Sequence, residues 1–467
     1  MLSLRPAARN IVPPALAIPK CHKRRGAPLK LPIFRCFPLL FAAALLAQTA
    51  SAQGYPRPKD TRSAENMPTA AELKNPPKSW IDKDTGHRIV RLTDEPGSAS
   101  FYFNVNAYTP AGDEMIYTTH EGISVLNLKT WKTRSVVQGR VRAIVVGHKT
   151  PSVFYIKPEE NALYVTNVDT GATRMVGKVP PHGNIATVNA DETLAAGTYD
   201  EVAAPGKQYN AAAKAGGSQV SPLEQPANKG EMMVRRLAAR IPLVLYTLNL
   251  NDGKITALQH STDWVNHLLF SPSDPNVLMY CHEGPWQAVD RIWTIRTDGT
   301  HNKLMHERHM AMEIAGHEFW GQNGETVYYD LQTPKGQDFF LASLNLTDGA
   351  RTWYHLERNE WSIHFNVYKD GLLFAGDGGN PGQVAKAPDG EWIYLFRPEL
   401  IKNTGIANKD FVNPGVLHAE KLVNMRKHNY TLEPNVSFTP DGKMVIFRSN
   451  MFGPTYVFGV EVAKATS

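Results

Sequence analysis

From about residue 100 to the C-terminus one plain unit recurs, and it restricts the fold more than anything else in the 467 residues. An alternating apolar strand meets a Pro/Asp/Gly turn, a strand of Val, Ile, Tyr and Phe follows, and a third strand ends in Asp-Gly or Thr-Gly. The first turn appears at Thr109-Pro-Ala-Gly-Asp113, Asn189-Ala-Asp-Glu192, Ser271-Pro-Ser-Asp274, Gln322-Asn-Gly324 and Thr439-Pro-Asp-Gly442. The second appears at Val168-Asp-Thr-Gly171, Leu250-Asn-Asp-Gly253, Arg296-Thr-Asp-Gly299 and Leu346-Thr-Asp-Gly349. Strands joined by such turns are antiparallel hairpins. A period of roughly 40–50 residues without intervening helices is the signature of a β-propeller. The units fall near 100–140, 141–180, 181–258, 259–308, 309–357, 358–425 and 426–466, which predicts an all-β, seven-bladed propeller. Residues 86–93 read as a lone strand that pairs with the last C-terminal strands and closes the ring, removing the exposed sheet edges.

Two units are over-long. Residues 199–240 predict a loop insertion with a short helix at Glu231–Ala238, and residues 376–425 predict a second, Gly-rich at Gly376-Asp-Gly-Gly-Asn380. Long loops of this kind usually line a binding face.

The formal charge of +6 belongs to the N-terminus. Residues 1–52 hold eight basic residues and no acid. Without them 42 basic residues face 44 acidic ones, so the body gives no argument for nucleic acid or an acidic membrane surface. Arg35, the apolar run Phe37–Leu46 and Ala50-Ser51-Ala52 read as a secretory signal over 1–52, too short to span a bilayer. The mature chain is thus expected in the periplasm or outside the cell, without a transmembrane anchor. Residues 53–80 read as a tether and 81–467 as a single domain. Only Cys281 remains after the leader, so no internal disulfide forms.

The chain lacks a G-x-S-x-G elbow, a Walker loop, a Rossmann fingerprint and an H-E-x-x-H pair. It carries instead polar residues at the starts of first strands. His267, His317, His364 and Glu433 lie just before the first turn of four consecutive units. In a propeller these positions converge on the central channel. Imidazoles and a carboxylate there suit a divalent cation with N and O ligands; the plain alternative is a set of satisfied polar groups in an internal water channel. Trp264, Trp286, Trp320 and Trp361 offer sugar-stacking faces, although each alone is more often core; Trp286, in the polar loop after Pro285, is the best of them.

The stretch from Trp264 to Trp320 carries His267 followed by Ser271-Pro272, Cys281-His-Glu-Gly-Pro285, Arg291-x-Trp293 with Asp298-Gly-Thr300, and His317-Glu-Phe-Trp320. With these motifs it resembles the oligogalacturonate lyases, seven-bladed propellers that cleave short pectin fragments. The resemblance continues at His364 with Gly376-Asp-Gly378 and at Pro434 with Ser437-Phe-Thr-Pro-Asp441. It implies metal-assisted β-elimination on an acidic oligosaccharide, with His317 as base, Arg291 stabilising the developing enolate, and His364 as a ligand of a divalent metal, usually manganese. His267, His282, Trp286 and Trp320 are expected to bind substrate. The chain departs from the pattern where the family has His-Pro-His, for here stands Glu433-Pro434-Asn435, and Tyr430 takes the place of a glutamine ligand. Glu433, Asn435 and the nearby His428 would then complete an oxygen-rich site, favouring Mn, Ca or Mg. The family's early Arg-Asn pair also has no counterpart at Ser100-Phe-Tyr-Phe-Asn104. A lyase for a different uronate and a non-catalytic TolB-like binding propeller remain the other readings.

Overall fold

The computed structural model describes residues 60, 62–201 and 228–465. The leader 1–52 lies outside the described residues. Seven blades form as the turn grammar predicts. Blades two to five are four-stranded antiparallel sheets in chain order, beginning with Arg142–Val146, Gly183–Val188, Trp264–Phe270 and Ile314–Trp320. Blade one has three regular strands over Glu114–Gln138, and its inner edge is supplied by single bridges, Ala99 to Thr118 and Tyr108 to Met115. The seventh blade joins the two ends of the domain: His87–Arg91 pairs with Tyr456–Lys464, with Val90 opposite Gly459.

Residues 62–81 are attached to that closing blade. Ser79–Ile81 adds a fifth strand. The short helix Ala70–Lys74 begins with a Thr69/Glu72 capping box, and Glu72 accepts a hydrogen bond from Lys427 at 2.6 Å. The apolar ring of Trp80 packs edge-on against Phe452 and Phe458, which a composition of Pro, Lys and Asn did not signal.

The first insertion contains the helix Lys229–Ala239, started by Asn228 and buried through Met232, Met233 and Arg236. The second is partly blade. After a loop over 377–391, the long strands Trp392–Leu400 and Asn413–Asn424 complete blade six, and the latter pairs in parallel with the outer strand of blade five, Thr352 opposite Asn413. The core is a ring of apolar layers between adjacent blades; around the fifth, sixth and seventh it includes Phe319, Phe365, Phe396, Phe447 and Phe458. Among the described residues no helix is long and apolar enough to cross a membrane.

Candidate active site

The inner strands of blades four and five carry the same irregularity. Between Asn266 and Leu269 the register slips, so that His267 and Leu268 face a single partner residue; between Gly316 and Phe319, His317 and Glu318 do likewise. Both histidines have positive φ, 48° and 49°. A bulge re-aims side chains, and non-glycine residues in this region are held by their surroundings. Two bulges in register on adjacent blades therefore turn two imidazoles toward one point.

Behind them lies a buried charge cluster. Arg291, 3% exposed, gives Nη1 to Glu283 Oε1 at 2.9 Å and Nε to Glu318 Oε2 at 3.0 Å. Glu283 Oε2 also lies 3.2 Å from His267 Nε2. Burial opposes the Glu283 carboxylate, but the Arg291 charge and the His267 contact overturn this and hold it well below the usual range. Burial likewise opposes the Arg291 charge, and the negative groups around it hold its pKa well above normal. Trp286 completes this wall, its ring 5.1 Å from the guanidinium carbon and edge-on to His317 at 4.8 Å.

His317 makes no hydrogen bond through Nδ1, which is buried. Burial first, then the charges of His364, Arg291, Lys229 and His267, pushes its pKa well below the ordinary imidazole value. It is a neutral base at neutral pH, and its ring centre is 4.9 Å from that of His364.

His364, fully buried, is oriented by Asp377. Its backbone N–H donates to Asp377 Oδ1 at 2.7 Å and Nδ1 pairs with Oδ2 at 2.8 Å. Asp377 Oδ2 also accepts from the Asn435 backbone at 3.1 Å. The turn bearing Asp377 needs a glycine next to it: a Cβ on Gly378, at φ +60°, would sit 2.3 Å from Gly390 O. His364 Nε2 is left to face Tyr102 Oη at 3.1 Å and Glu433 Oε2 at 3.8 Å. A histidine fixed by a carboxylate through Nδ1 is what a metal ligand requires.

Two other expected ligands are engaged elsewhere. Asn435 receives the Phe103 N–H on Oδ1 and donates Nδ2 to Glu433 O, so its amide is spent on the backbone. His428 is held by Ser449 Oγ at 2.8 Å and Leu432 O at 2.7 Å, and burial lowers its pKa to about 3; it pins a turn. Tyr430 is buried and donates to Asp377 O. The set that fits a hard cation is thus His364 Nε2, the Glu433 carboxylate and the Tyr102 hydroxyl. His267, Cys281 and Glu283 also bring ligand atoms within 4.8 Å of one another. There, however, both Glu283 oxygens are occupied and burial pushes the Cys281 thiol well up, so the group holds Arg291 rather than a cation.

Two expected substrate contacts point away. His282 alternates to the other side of its strand from Glu283, where it stacks on Trp293 at 5.0 Å. Trp320 is 7% exposed and donates Nε1 to Leu269 O, a core role. Residues that sequence reasoning did not single out complete the site: Tyr102, Phe103, Glu283, Glu318 and Asp377. Burial first, and then Glu433, pushes the Tyr102 phenol well up, so it stays neutral. Phe103 stacks on His364 at 4.6 Å and forms the floor. On its other side lies a separate cavity of about 430 Å³, lined by Asn106, Thr109, Phe319, Asn366 and Pro440 among others.

A single propeller with a neutral imidazole, a buried arginine and a histidine–carboxylate pair at one mouth defines a carbohydrate-lyase type of centre. The chain belongs to the oligogalacturonate lyase family: the family model of that description matches residues 72–466. It is 25% identical over 396 residues to an oligogalacturonate lyase of Dickeya dadantii (strain 3937), covering 82% of this chain and 95% of the relative. It is 27% identical over 230 residues to an oligogalacturonide lyase of Pectobacterium atrosepticum, covering 47% and 55%. Among solved structures, an oligogalacturonate lyase in complex with manganese superposes with a TM-score of 0.64 at 21% identity, covering 83% of this chain and 96% of the other. An oligogalacturonate lyase from Vibrio parahaemolyticus gives 0.64 at 20% identity, with the same coverage. Membership of a lyase family makes the chain an enzyme of that class and disfavours the binding-module alternative.

Proposed function

We propose that this enzyme cleaves short 1,4-linked oligogalacturonides by β-elimination. The observation that carries the reading is His317, an imidazole kept neutral by burial and neighbouring charge beside Arg291. His317 takes the C5 proton of the ring on the reducing-end side of the scissile bond. The C5–H electron pair forms the C4–C5 double bond, the C4–O4 bond breaks, and O4 leaves with the neighbouring sugar and is protonated. Negative charge builds on the carboxylate next to C5. Arg291, with Nε and Nη1 fixed on Glu318 and Glu283, keeps Nη2 for that charge without having to reorganise. Trp286 borders the ring-binding space. A divalent cation, manganese in first place and calcium or magnesium next, would be held by His364 and Glu433 with Tyr102 alongside, and it would neutralise the substrate carboxylate and so acidify C5–H.

The leader over 1–52 fits export, so we place the mature enzyme in the periplasm or outside the cell, acting on soluble acidic fragments.

The test is product absorbance in the ultraviolet with residues 53–467, digalacturonate and a panel of other uronate oligomers. Reactions run with Mn²⁺, with Ca²⁺ and with a chelator, beside His317→Ala. Unsaturated product that requires His317 and metal is expected. A folded protein that leaves every uronate intact would overturn the reading; turnover of another uronate alone would change the substrate.

A further inference from the structure

We propose that Arg448 is the receptor for a second substrate carboxylate, that of the sugar whose oxygen leaves; the assignment takes its substrate class from the lyase reading above. Arg448 ends the second strand of the closing blade, Met444–Ser449. Its backbone N–H donates to Pro434 O at 2.8 Å and its Nε to Glu433 O at 2.9 Å. The side chain is thereby clamped along the turn that presents Glu433 to His364. Nη1 and Nη2 have no hydrogen-bond or ion-pair partner among the described residues, although the group is half-buried. A partly desolvated guanidinium pinned through Nε, with its two terminal nitrogens free, is a planar fork that matches a carboxylate with two parallel hydrogen bonds.

The position sets which carboxylate it meets. Arg448 Nε is on Glu433 O, the Glu433 carboxylate lies 3.8 Å from His364 Nε2, and the His364 ring centre lies 4.9 Å from that of His317. In this line of contacts Glu433 and His364 stand between the fork and the base. A carboxylate fixed there belongs to a sugar other than the one losing its proton. The charges that bear on Arg448 are Glu433, Tyr102 and Asp377. None of the three closes an ion pair with it: Asp377 is spent on His364 and Asn435, and the Glu433 carboxylate is turned to His364. The chain thus keeps a cationic fork for an incoming anion, bonded to the turn where the family's two imidazoles are replaced.

Binding separates this from catalysis. In the full-length mature protein carrying His317→Ala, calorimetry measures digalacturonate and its monomethyl ester on the non-reducing ring. Adding Arg448→Gln is expected to weaken digalacturonate binding by about tenfold or more, the usual worth of a charge-assisted pair. Arg448→Lys should recover only part, since it restores the charge and not the fork. The ester should bind with one affinity to the proteins with and without Arg448. Equal binding of digalacturonate with and without Arg448 overturns the assignment. So does an equal loss for both ligands, or a parent protein that binds neither. Arg448-dependent binding without turnover by the wild-type enzyme would sink the lyase reading and leave the receptor standing.

Discussion

Replacing Arg291 by methionine removes the charge while keeping much of the volume, and it separates two roles of that residue. In the folded protein Glu283 is 6% exposed and Glu318 1%. Each gives a carboxylate oxygen to the guanidinium at 2.9–3.0 Å. Without Arg291 two buried carboxylates are left with little else to compensate them, and breaking a buried pair in this way costs about 3–5 kcal/mol. An unfolding entropy of about 2 cal/mol/K per residue over roughly 400 residues converts that to a fall in Tm of about 5 °C. Near-ultraviolet circular dichroism melts read it directly. The argument also makes a directional claim. Glu318→Gln added to Arg291→Met should return part of the loss, because it removes one of the two uncompensated charges. Melting of Arg291→Met within a degree of the wild type, or a further drop on adding Glu318→Gln, would refute the charge-cluster reasoning. Lyase turnover should fall by about 10²–10³-fold in the single variant, the scale for losing one preorganised donor to a developing oxyanion, and Glu318→Gln should not restore it.

Asp330 is fully buried; among the described residues only Gln332 and Trp361 donate to it, and burial raises its pKa to about 7. The folded protein therefore holds this proton more tightly than the unfolded chain, whose value is 3.8. The associated stability is complete below pH 4 and is lost as pH rises to about 7, by up to about 4 kcal/mol. Urea midpoints over this window should fall less steeply for Asp330→Asn; an unchanged slope would remove the assignment. Trp286→Ala should weaken substrate binding several-fold, through loss of the surface beside His317, while His282→Ala should leave it within twofold; the reverse order would place the sugar on the other side of that strand.

The ring was legible because a propeller repeats its turn chemistry, and Pro/Asp/Gly signals mark each hairpin without reference to tertiary contacts. The recurrence of His267, His317 and His364 was legible for the same reason: one position per blade projects to one axis. What spacing does not encode is direction. His428 and Asn435 sit within a few residues of Glu433, yet hydrogen bonds to Leu432 nearby and to the distant Ser449 and Phe103 turn their polar atoms into the fold. His282 and Glu283 are adjacent, and strand alternation sends one to Trp293 and the other to Arg291. Tyr102 escaped notice because blade one contributes its inner edge through isolated bridges, so Ser100-Phe-Tyr-Phe-Asn104 shows no strand pattern. A polar-tipped aromatic at the blade-one equivalent of the histidine positions was the available signal. Arg448 was hidden in a strand that otherwise reads as plain core, Met444-Val-Ile-Phe447.

The seventh blade draws His87–Arg91 and Tyr456–Lys464 into one sheet, with His87 opposite Lys464. The last blade therefore cannot be finished until the chain has been made as far as Lys464. Glu433 and Arg448 lie within that late segment, while His317 and Arg291 come earlier. During synthesis the base and its arginine can be in place while the other half of the mouth is still missing. Substrate recognition is thus tied to the pairing of strands far apart in sequence, a kind of contact that forms slowly because its loop-closure entropy comes first.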